Sequence, residues 1–376
     1  MASLATPVLA KFRDKFGSGV DARVFRAPGR VNLIGEHTDY NLGLVLPMAI
    51  DLACYAATAP SGDGWLRVYS EQFAEAAEWP LNAIASATPR GHWSDRVLGV
   101  AWEILKRGGA LNAQHLLIDS TLPVGAGLSS SAALGVTLAL AFGGPRTPAE
   151  LTSIAHRAEV DFVGVPCGVM DQFTSAHGVE GSAILLDCRT LKWRAVKLPP
   201  ETAVIAVNTM VRHDLTGSGY RERVKETSRA ASALGLQSLR DAQIDDLARL
   251  AGVLNRRARH ILTENARVEQ FVAACEADNC EGMGQLLLES HKSLRDDYEV
   301  SSPELDFLVE AAIRLDGVYG ARMTGGGFGG SVVVLARSES TGAISAALAS
   351  AYHEHRGTTP GIHVCAPSRG ACEIIP

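Results

Sequence analysis

LPVGAGLSSSAAL, residues 122–134, is the stretch that decides how this chain of 376 residues is interpreted. A strand-like segment ends before it, and the Ala/Leu-rich run after Ser131 is typical of a helix. Glycines let backbone N–H groups crowd around an anion, and the following helix start adds the positive end of its dipole. The stretch therefore predicts a phosphate-binding loop, although a Gly/Ser loop that caps a buried helix has the same composition. It contains no Walker-A sequence, which excludes the P-loop NTPase fold at this site.

A second glycine-rich stretch, GGGFGG at residues 325–330, matches the dinucleotide-binding pattern GxGxxG and, with Val332, the protein-kinase pattern GxGxxGxV. The first pattern must open a helix, but residues 331–335 are typical of a strand. The second needs a catalytic domain downstream, and only 44 residues follow Val332. From the residues alone, a tight glycine-rich hairpin is the remaining interpretation.

A third stretch, APGRVNLIGEHTDYNLG at residues 27–43, presents Glu36, His37 and Asp39 directly after an apolar strand. Short carboxylates and an imidazole together offer the acceptors and donors that sugar hydroxyls require. The alternative is a solvated acidic turn with one incidental histidine.

Two further acidic residues stand beside glycine-rich loops. TPAE at residues 147–150 is a capping box with proline at the first helical position, and Gly164 is expected to end that helix. Glu159 lies at the border of its apolar stripe, so its carboxylate points partly inward. Asp171 follows a Gly/Pro loop and opens a short helical run that ends near Gly178. Taken singly, Asp171 is better explained as a helix N-terminal charge worth a few tenths of a kcal/mol.

Strand-like segments alternate with helix-like ones, without a repeat period, which predicts a mixed α and β chain. The predicted strands are residues 31–34, 116–118, 183–186, 203–207 and 331–335. The length suits about two domains, and the Pro-rich turn at residues 198–200 places the expected boundary between residues 1–198 and 199–376.

Composition narrows the class of partner and the compartment. A formal charge of -6 and a pI near 6.0 argue against nucleic-acid or anionic-membrane binding, which needs an excess of Lys and Arg. Seven scattered cysteines without a CxxC pair indicate reduced thiols, and the first residues lack the pattern of a secretory signal. The longest apolar run, residues 132–142, is shorter than the roughly 20 residues of a membrane span. We expect a cytoplasmic protein, a monomer, with small-molecule partners.

Together the three glycine-rich stretches resemble, in order and spacing, the signature motifs of the GHMP small-molecule kinases. GRVNLIGEHTDYNLG at residues 29–43 resembles the galactokinase signature specifically, and similarity extends over about residues 23–335. The resemblance implies an α+β fold of two domains with mixed and antiparallel sheets and an active site in the cleft between them. It also implies Mg²⁺-dependent transfer of the γ-phosphoryl group of ATP to the C1 hydroxyl of galactose.

The resemblance further implies a role for each matching residue. Asp171 is expected to act on the C1 hydroxyl, with Arg30 bridging Asp171 and the transferring phosphoryl group. The Mg²⁺ ligands are expected to be Ser131 and Glu159. Trp93 is expected near adenine, although residues 94–96, SDR, depart from the usual aromatic-rich pattern. The expected sugar-binding residues are Glu36, His37, Asp39, Gly168 and Tyr220. The expected phosphate-binding residues are Gly125, Ala126, Gly127, Leu128, Ser129, Ser130 and Ser131.

Two alternatives stay open at the level of sequence. One is another sugar specificity, such as an N-acetylgalactosamine kinase or a broader hexose 1-kinase, although Thr38 stands where the N-acetylgalactosamine type tends to carry an aliphatic residue. The other is a sensor that binds galactose and ATP without turnover. Such relatives resemble kinases that have lost part of the Ser-Ser-Ser-Ala segment, and here residues 129–133 are intact.

Overall fold

The computed structural model describes residues 2–17, 21–143, 146–212 and 216–375. Its strands are β1 (Arg23–Asn32), β2 (Leu44–Val45), β3 (Pro47–Pro60), β4 (Trp65–Ser70), β5 (Glu75–Pro80), β6 (Gln114–Ser120), β7 (Ser182–Asp187), β8 (Trp193–Lys197), β9 (Thr202–Arg212), β10 (Val318–Thr324), β11 (Gly329–Arg337), β12 (Gly361–Cys365) and β13 (Cys372–Ile374). Its α-helices are α1 (Ala2–Phe16), α2 (Leu81–Ile84), α3 (Asp95–Lys106), α4 (Ser130–Ala141), α5 (Pro148–Arg157), α6 (Met170–His177), α7 (Thr216–Leu234), α8 (Gly252–Glu276), α9 (Cys280–Asp296), α10 (Pro303–Ala312) and α11 (Thr341–Arg356).

The largest sheet has six strands in the order β13-β1-β3-β6-β4-β5, with every neighbouring pair antiparallel except β4 and β6. Helix α4 packs on β1 and β3, and helices α3, α5 and α6 surround it. Its neighbours explain why most of the buried positions of α4 carry small or apolar side chains, such as Ala133 and Val136; the buried Thr137 hydroxyl donates to the Ala133 carbonyl at 2.7 Å. This layer holds the start of the 122–134 stretch firmly against β1.

The second layer is a four-stranded antiparallel sheet in the order β10-β11-β9-β12, covered by α9, α10 and α11. A three-stranded sheet, β2-β7-β8, lies beside α8. The last strand, β13, returns to pair with β1, so that Ile374 lies opposite Val24. Within the described ranges, no helix is both long and apolar enough to cross a membrane.

Most of the local predictions are confirmed. Residues 116–118, 183–186, 203–207 and 331–335 lie in β6, β7, β9 and β11. The predicted strand 31–34 is wrong in its second half, because β1 ends at Asn32 and the chain bends there toward the Glu36 turn. The α+β class is confirmed, whereas the boundary after residue 198, which falls between β8 and β9, stays a prediction.

The helical segment that Thr147 caps changes its pitch before it ends. Thr147 caps it as expected, since its hydroxyl accepts from the Glu150 N–H while the Glu150 carboxylate accepts from the Thr147 N–H. After Arg157 the chain continues as a π-helical turn, Ala158–Val163, and ends at Gly164 in the left-handed conformation. Glu159 lies on this turn, so its inward direction comes from the local unwinding as well as from the apolar stripe. Such turns are rare and often occur at functional sites.

Candidate active site

Three cavities adjoin one another; the first two lie between the two layers, and the third lies against the six-stranded sheet and α4. The first, of about 300 Å³, is lined by Glu36, His37, Asp39 and Tyr220 among others. The second, of about 430 Å³, lies between the 122–134 stretch and residues 324–330. The third, of about 280 Å³, contains Trp93. Ser131 lines all three cavities, which therefore meet at this residue.

Arg30 and Asp171 meet where the first two cavities join. Arg30 Nε donates to Asp171 Oδ1 at 2.7 Å and Nη2 donates to Oδ2 at 2.8 Å, a bidentate pair between residues 141 positions apart. The Arg30 side chain is 5% exposed and the Asp171 side chain is 30% exposed. A bidentate arginine fixes the plane of the carboxylate as well as its charge. Asp171 therefore faces the cavity in one orientation.

The backbone of β1 places Arg30 against the 122–134 stretch. A β-bulge between Pro28 and Arg30 breaks the register with β3, and the Arg30 N–H donates to the Leu128 carbonyl at 3.2 Å. Gly29 permits this approach, since a Cβ there would lie 2.6 Å from the Leu128 oxygen. Arg30 Nη1 also donates to the Gly127 carbonyl at 2.6 Å. One side chain thus contacts both the acid and the glycine-rich loop.

The 122–134 stretch enters α4 through a left-handed residue, as a tight anion-binding turn requires. Ser129 has φ +60°, and its hydroxyl donates to Asp171 Oδ2 at 2.5 Å. Gly125 and Gly127 have φ values of +75° and +74°, which glycine adopts without steric cost. Gly125, Gly127, Ser129, Ser130 and Ser131 line the second cavity. Ala126 and Leu128 are buried behind it.

The GGGFGG stretch forms the opposite wall of the second cavity. It joins β10 to β11, so the hairpin interpretation is confirmed and a dinucleotide fingerprint is excluded. A Cβ on Gly325 would lie 3.1 Å from the Gly127 carbonyl, and the Ser331 hydroxyl donates to the Ala126 carbonyl. The two glycine-rich stretches therefore face each other at close range, with many backbone groups around one space.

Ser131 and Glu159 lie together, as expected, but an arginine joins them. The Ser131 hydroxyl donates to Glu159 Oε2 at 3.0 Å. Arg96 Nε donates to Ser131 Oγ at 2.5 Å and Nη2 donates to Glu159 Oε1 at 3.2 Å. Within the described ranges, no group of three or more His, Cys, Asp or Glu side chains could hold a metal. A hydroxyl and one carboxylate nevertheless suit Mg²⁺, which usually takes one or two carboxylates and completes its shell with water and substrate phosphates.

His37 is a neutral, buried imidazole, and one of its two ring nitrogens has no hydrogen-bond partner within the described residues. Its Nδ1 lies 2.9 Å from the Tyr40 hydroxyl, which in turn lies 2.8 Å from the Tyr298 hydroxyl. Burial, with smaller contributions from nearby cationic groups, lowers the pKa of His37 well below its usual range. Its Nε2 has no partner within the described part of the chain, although the residue lines the first cavity. A buried polar atom of this kind is costly unless a ligand satisfies it.

Asp39 and Gly168 are in direct contact in the same cavity. A Cβ built on Gly168 would lie 2.0 Å from Asp39 Oδ2, so only glycine leaves room for this carboxylate. Burial raises the pKa of Asp39 to about 7, and the nearby Asp171 carboxylate adds to the shift. Asp39 therefore changes charge near neutral pH.

Glu36 lies deeper, held by protein donors. Its Oε1 accepts from the Thr324 hydroxyl at 3.0 Å and from the Gly325 N–H, and it pairs with Arg322 at 3.4 Å. Its Oε2 accepts from the Asn32 amide. Glu36 is 1% exposed, yet it lines the first cavity, and Oε2 keeps acceptor capacity for a ligand hydroxyl.

Aromatic rings close the remaining sides of the cleft. Tyr220, on α7, packs edge-to-face on Tyr40, with ring centroids 5.4 Å apart, and closes the first cavity. Trp93 lies in the third cavity instead, stacked on Phe73 with centroids 5.5 Å apart, and donates to the Glu75 carboxylate at 2.7 Å. Trp93 thus lines a different cavity from the sugar-signature residues, and its place near adenine stays a prediction.

Two features of the site were missed by sequence reasoning. Arg96 belongs to the SDR segment, whose only sequence signal was its departure from the aromatic-rich pattern. Glu264, on α8, accepts from the Gly35 N–H at 3.0 Å and from the Ser290 hydroxyl at 2.7 Å, and so holds the turn before Glu36 in place. A buried acid inside a helix has no local pattern that reveals such a partner.

Three family models match this chain. The galactokinase galactose-binding signature matches residues 10–60, the GHMP kinases N terminal domain matches residues 95–179, and the GHMP kinases C terminal model matches residues 271–354. The galactokinase of Chloroflexus aggregans is 43% identical over 98% of this chain and 97% of its own. The galactokinase of Homo sapiens is 40% identical over 99% of both chains. The crystal structure of Lactococcus lactis galactokinase complexed with galactose superposes with a TM-score of 0.92 at 33% identity, covering 99% of this chain and 100% of the other.

Proposed function

We propose how the side chains of the site carry out the reaction, given that the chain belongs to the galactokinase family of the GHMP kinases. It is an enzyme that phosphorylates galactose with ATP. The product is galactose 1-phosphate, with ADP released. One observation carries the assignment of roles: the Arg30–Asp171 pair lies at the junction of the sugar-signature cavity and the loop cavity. A hydroxyl bound in the first cavity and a phosphate bound in the second would meet at that pair.

Galactose binds in the first cavity. His37 Nε2, the Asp39 carboxylate and Glu36 Oε2 offer the hydrogen-bonding positions, while Gly168 keeps Asp39 in place by having no side chain. Tyr220 packs against His37, with ring centroids 5.7 Å apart, and lines the same cavity. The mixture of acceptors and a neutral imidazole matches hydroxyl groups, each of which donates one hydrogen bond and accepts others.

Asp171 is the catalytic residue that orients the C1 hydroxyl and receives its proton. Arg30 holds both Asp171 oxygens and reaches the Gly127 carbonyl, so it also stands where charge develops on the transferring phosphoryl group. Phosphoryl transfer requires little covalent work from a protein, and most of the catalysis comes from alignment and stabilisation of charge. The site supplies the alignment by holding the terminal phosphate of ATP and the C1 hydroxyl of galactose in one relative orientation.

ATP lies along the second and third cavities. The N–H groups at residues 125–131 and the start of α4 bind its phosphates, and residues 325–330 cover them from the other side. The base lies in the third cavity against Trp93 and Phe73. This order leaves the terminal phosphate nearest to Arg30 and Asp171.

Ser131 and Glu159 would hold Mg²⁺. Their oxygens are 3.0 Å apart, and both belong to the donor class that this cation prefers. When bound, the cation neutralises charge on the phosphate oxygens. The chain's own part is to present these two oxygens at the edge of the phosphate cavity.

A substrate panel tests the proposal. The purified chain, ATP and Mg²⁺ are incubated with galactose, N-acetylgalactosamine, glucose and mannose, and ADP release is measured. We expect turnover on galactose to exceed that on each other sugar. Absence of turnover on galactose would overturn the reaction, while equal turnover on N-acetylgalactosamine would overturn the specificity.

We also propose that the protein works in the cytoplasm as a monomer. All seven cysteines are free thiols in the structure, as in proteins that fold in a reducing compartment. Size-exclusion chromatography with light scattering tests the oligomeric state, and a mass of twice 39.8 kDa would contradict it.

A further inference from the structure

Arg96 places a positive charge on the two residues proposed as cation ligands. Its guanidinium donates to Ser131 Oγ through Nε and to Glu159 Oε1 through Nη2. Because Ser131 donates to Oε2, both oxygens of Glu159 are engaged. The ion pair is partly exposed, with 33% of the Arg96 side chain and 11% of the Glu159 side chain accessible.

The backbone of Arg96 is held in place by hydrogen bonds of the preceding residue. Its side chain lies between the Ser131–Glu159 pair and the third cavity. The preceding Asp95 accepts from the N–H groups of Arg90, Gly91 and His92 at 2.8, 2.7 and 3.1 Å, which fixes the start of α3. Arg96 also lines the third cavity together with Gly125 and Ser130, which belong to the phosphate-binding loop. The guanidinium can therefore turn from Glu159 toward a nucleotide phosphate without movement of the helix.

We propose that Arg96 is a resident counter-ion of the Ser131–Glu159 pair, that it binds a nucleotide phosphate from the same position on α3 while no metal is bound, and that the divalent cation displaces it and takes over both roles. This inference rests on the proposed function, in which nucleotide occupies the second and third cavities. A divalent cation and a guanidinium cannot share the same two oxygens, because like charges at such distances repel strongly. A guanidinium matches phosphate oxygens in a bidentate manner, so in the metal-free protein Arg96 can bind a phosphate of the nucleotide.

The proposal predicts an unusual dependence of nucleotide affinity on metal. Without metal, Arg96 is the positive charge that meets the phosphates and compensates Glu159. If Arg96 is replaced by glutamine, Glu159 faces the phosphates uncompensated, and metal-free nucleotide binds weakly. The cation then supplies the positive charge that the variant has lost. Metal therefore strengthens nucleotide binding by a larger factor in the variant than in the wild type. The logarithm of this factor gives the coupling free energy between metal binding and nucleotide binding.

Calorimetric titration of the full chain with ADP, in EDTA and in saturating Mn²⁺, tests this prediction without galactose or turnover. For Arg96→Gln we expect metal-free ADP affinity to fall at least tenfold and affinity in Mn²⁺ to fall less than threefold. Arg249→Gln is the matched control, since Arg249 forms an exposed ion pair with Asp246 and lines none of the three cavities. Its two affinities should equal those of the wild type.

Glu159→Gln gives an independent and opposite result. Removal of this carboxylate frees Arg96 for the phosphates, so metal-free ADP should bind at least threefold more tightly while the Mn²⁺ enhancement is lost. A loss of ADP affinity by the same factor with and without metal in Arg96→Gln, or weaker metal-free binding in Glu159→Gln, would overturn the proposal. Galactose turnover by the wild type is measured separately, so failure of the proposed function and failure of the Arg96 inference are distinguishable.

Discussion

Gly168→Ala is the substitution whose effect the structure defines most sharply. The added Cβ would lie 2.0 Å from Asp39 Oδ2, 2.3 Å from Cγ and 2.7 Å from Cβ. Ordinary contact begins near 3.4 Å, so the carboxylate must move by about 1.4 Å. Gly168 does not have a positive φ, so the clash with Asp39 is the cause of any effect and backbone strain is not. A shift of roughly 1 Å at a reacting site can cost about 10²-fold in rate.

We therefore expect kcat/KM for galactose to fall about 10²-fold, or about 2.7 kcal/mol of transition-state stabilisation. The KM for ATP should change less than threefold, because Gly168 does not line the loop cavity. Steady-state ADP release, with each substrate varied in turn, measures both quantities. Gly342→Ala is the control, since a Cβ there meets nothing within 4 Å, and its kinetics should match the wild type.

A double variant isolates the cause. If alanine at 168 acts by displacing Asp39, then Gly168→Ala combined with Asp39→Ala should be no worse than Asp39→Ala alone. Such non-additivity is the signature of two residues in direct contact. A folded Gly168→Ala protein with kcat/KM for galactose within threefold of the wild type would refute the reasoning, as would fully additive losses.

Four further predictions concern neighbouring residues. Asp171→Asn should keep galactose and ATP affinities within threefold by calorimetry yet lose at least ~10²-fold in kcat; near-normal turnover would remove Asp171 from its role. Arg30→Lys should lose at least ~10-fold in kcat, because a point charge cannot hold both Asp171 oxygens and the Gly127 carbonyl; equal activity of the two proteins would contradict this. Because the raised pKa of Asp39 is about 7, its ionised fraction grows about tenfold between pH 6 and 8, so the KM for galactose should fall as pH rises through 7; a flat profile, or the same slope in Asp39→Asn, would disprove it. Burial alone would raise the pKa of Glu264, but Arg267, His260 and Arg322 lower it to about 2, so its stabilising contribution is complete above about pH 4.5 and is lost as pH falls toward 2. Glu264→Gln should thus lower the free energy of unfolding by ~3 kcal/mol at pH 7 and by less at pH 3.5 in urea titrations; an equal loss at both values would refute it.

Local structure was largely predictable because its causes are local. The Thr147 cap, the end at Gly164 and the strand at residues 331–335 depend on side chains within a few positions of one another. The same holds for the choice between a dinucleotide turn and a hairpin at residues 325–330, where β-branched residues follow the glycines. The π-helical turn at Ala158–Val163 was not predictable, because no residue in it marks the change of pitch.

The amino-acid sequence is sufficient to identify the chemical groups and their family resemblance: a glycine-rich loop before a helix, a sugar-type signature and the two acids Glu159 and Asp171. Which of these groups come into contact depends on the packing of the whole fold. Arg30 reaches Asp171 because α6 packs against β1, and Arg96 reaches Ser131 and Glu159 because α3 packs against α4 and the π-helical turn. Contacts between residues 35 to 141 positions apart depend on how whole layers pack, and no periodicity in the chain encodes that arrangement.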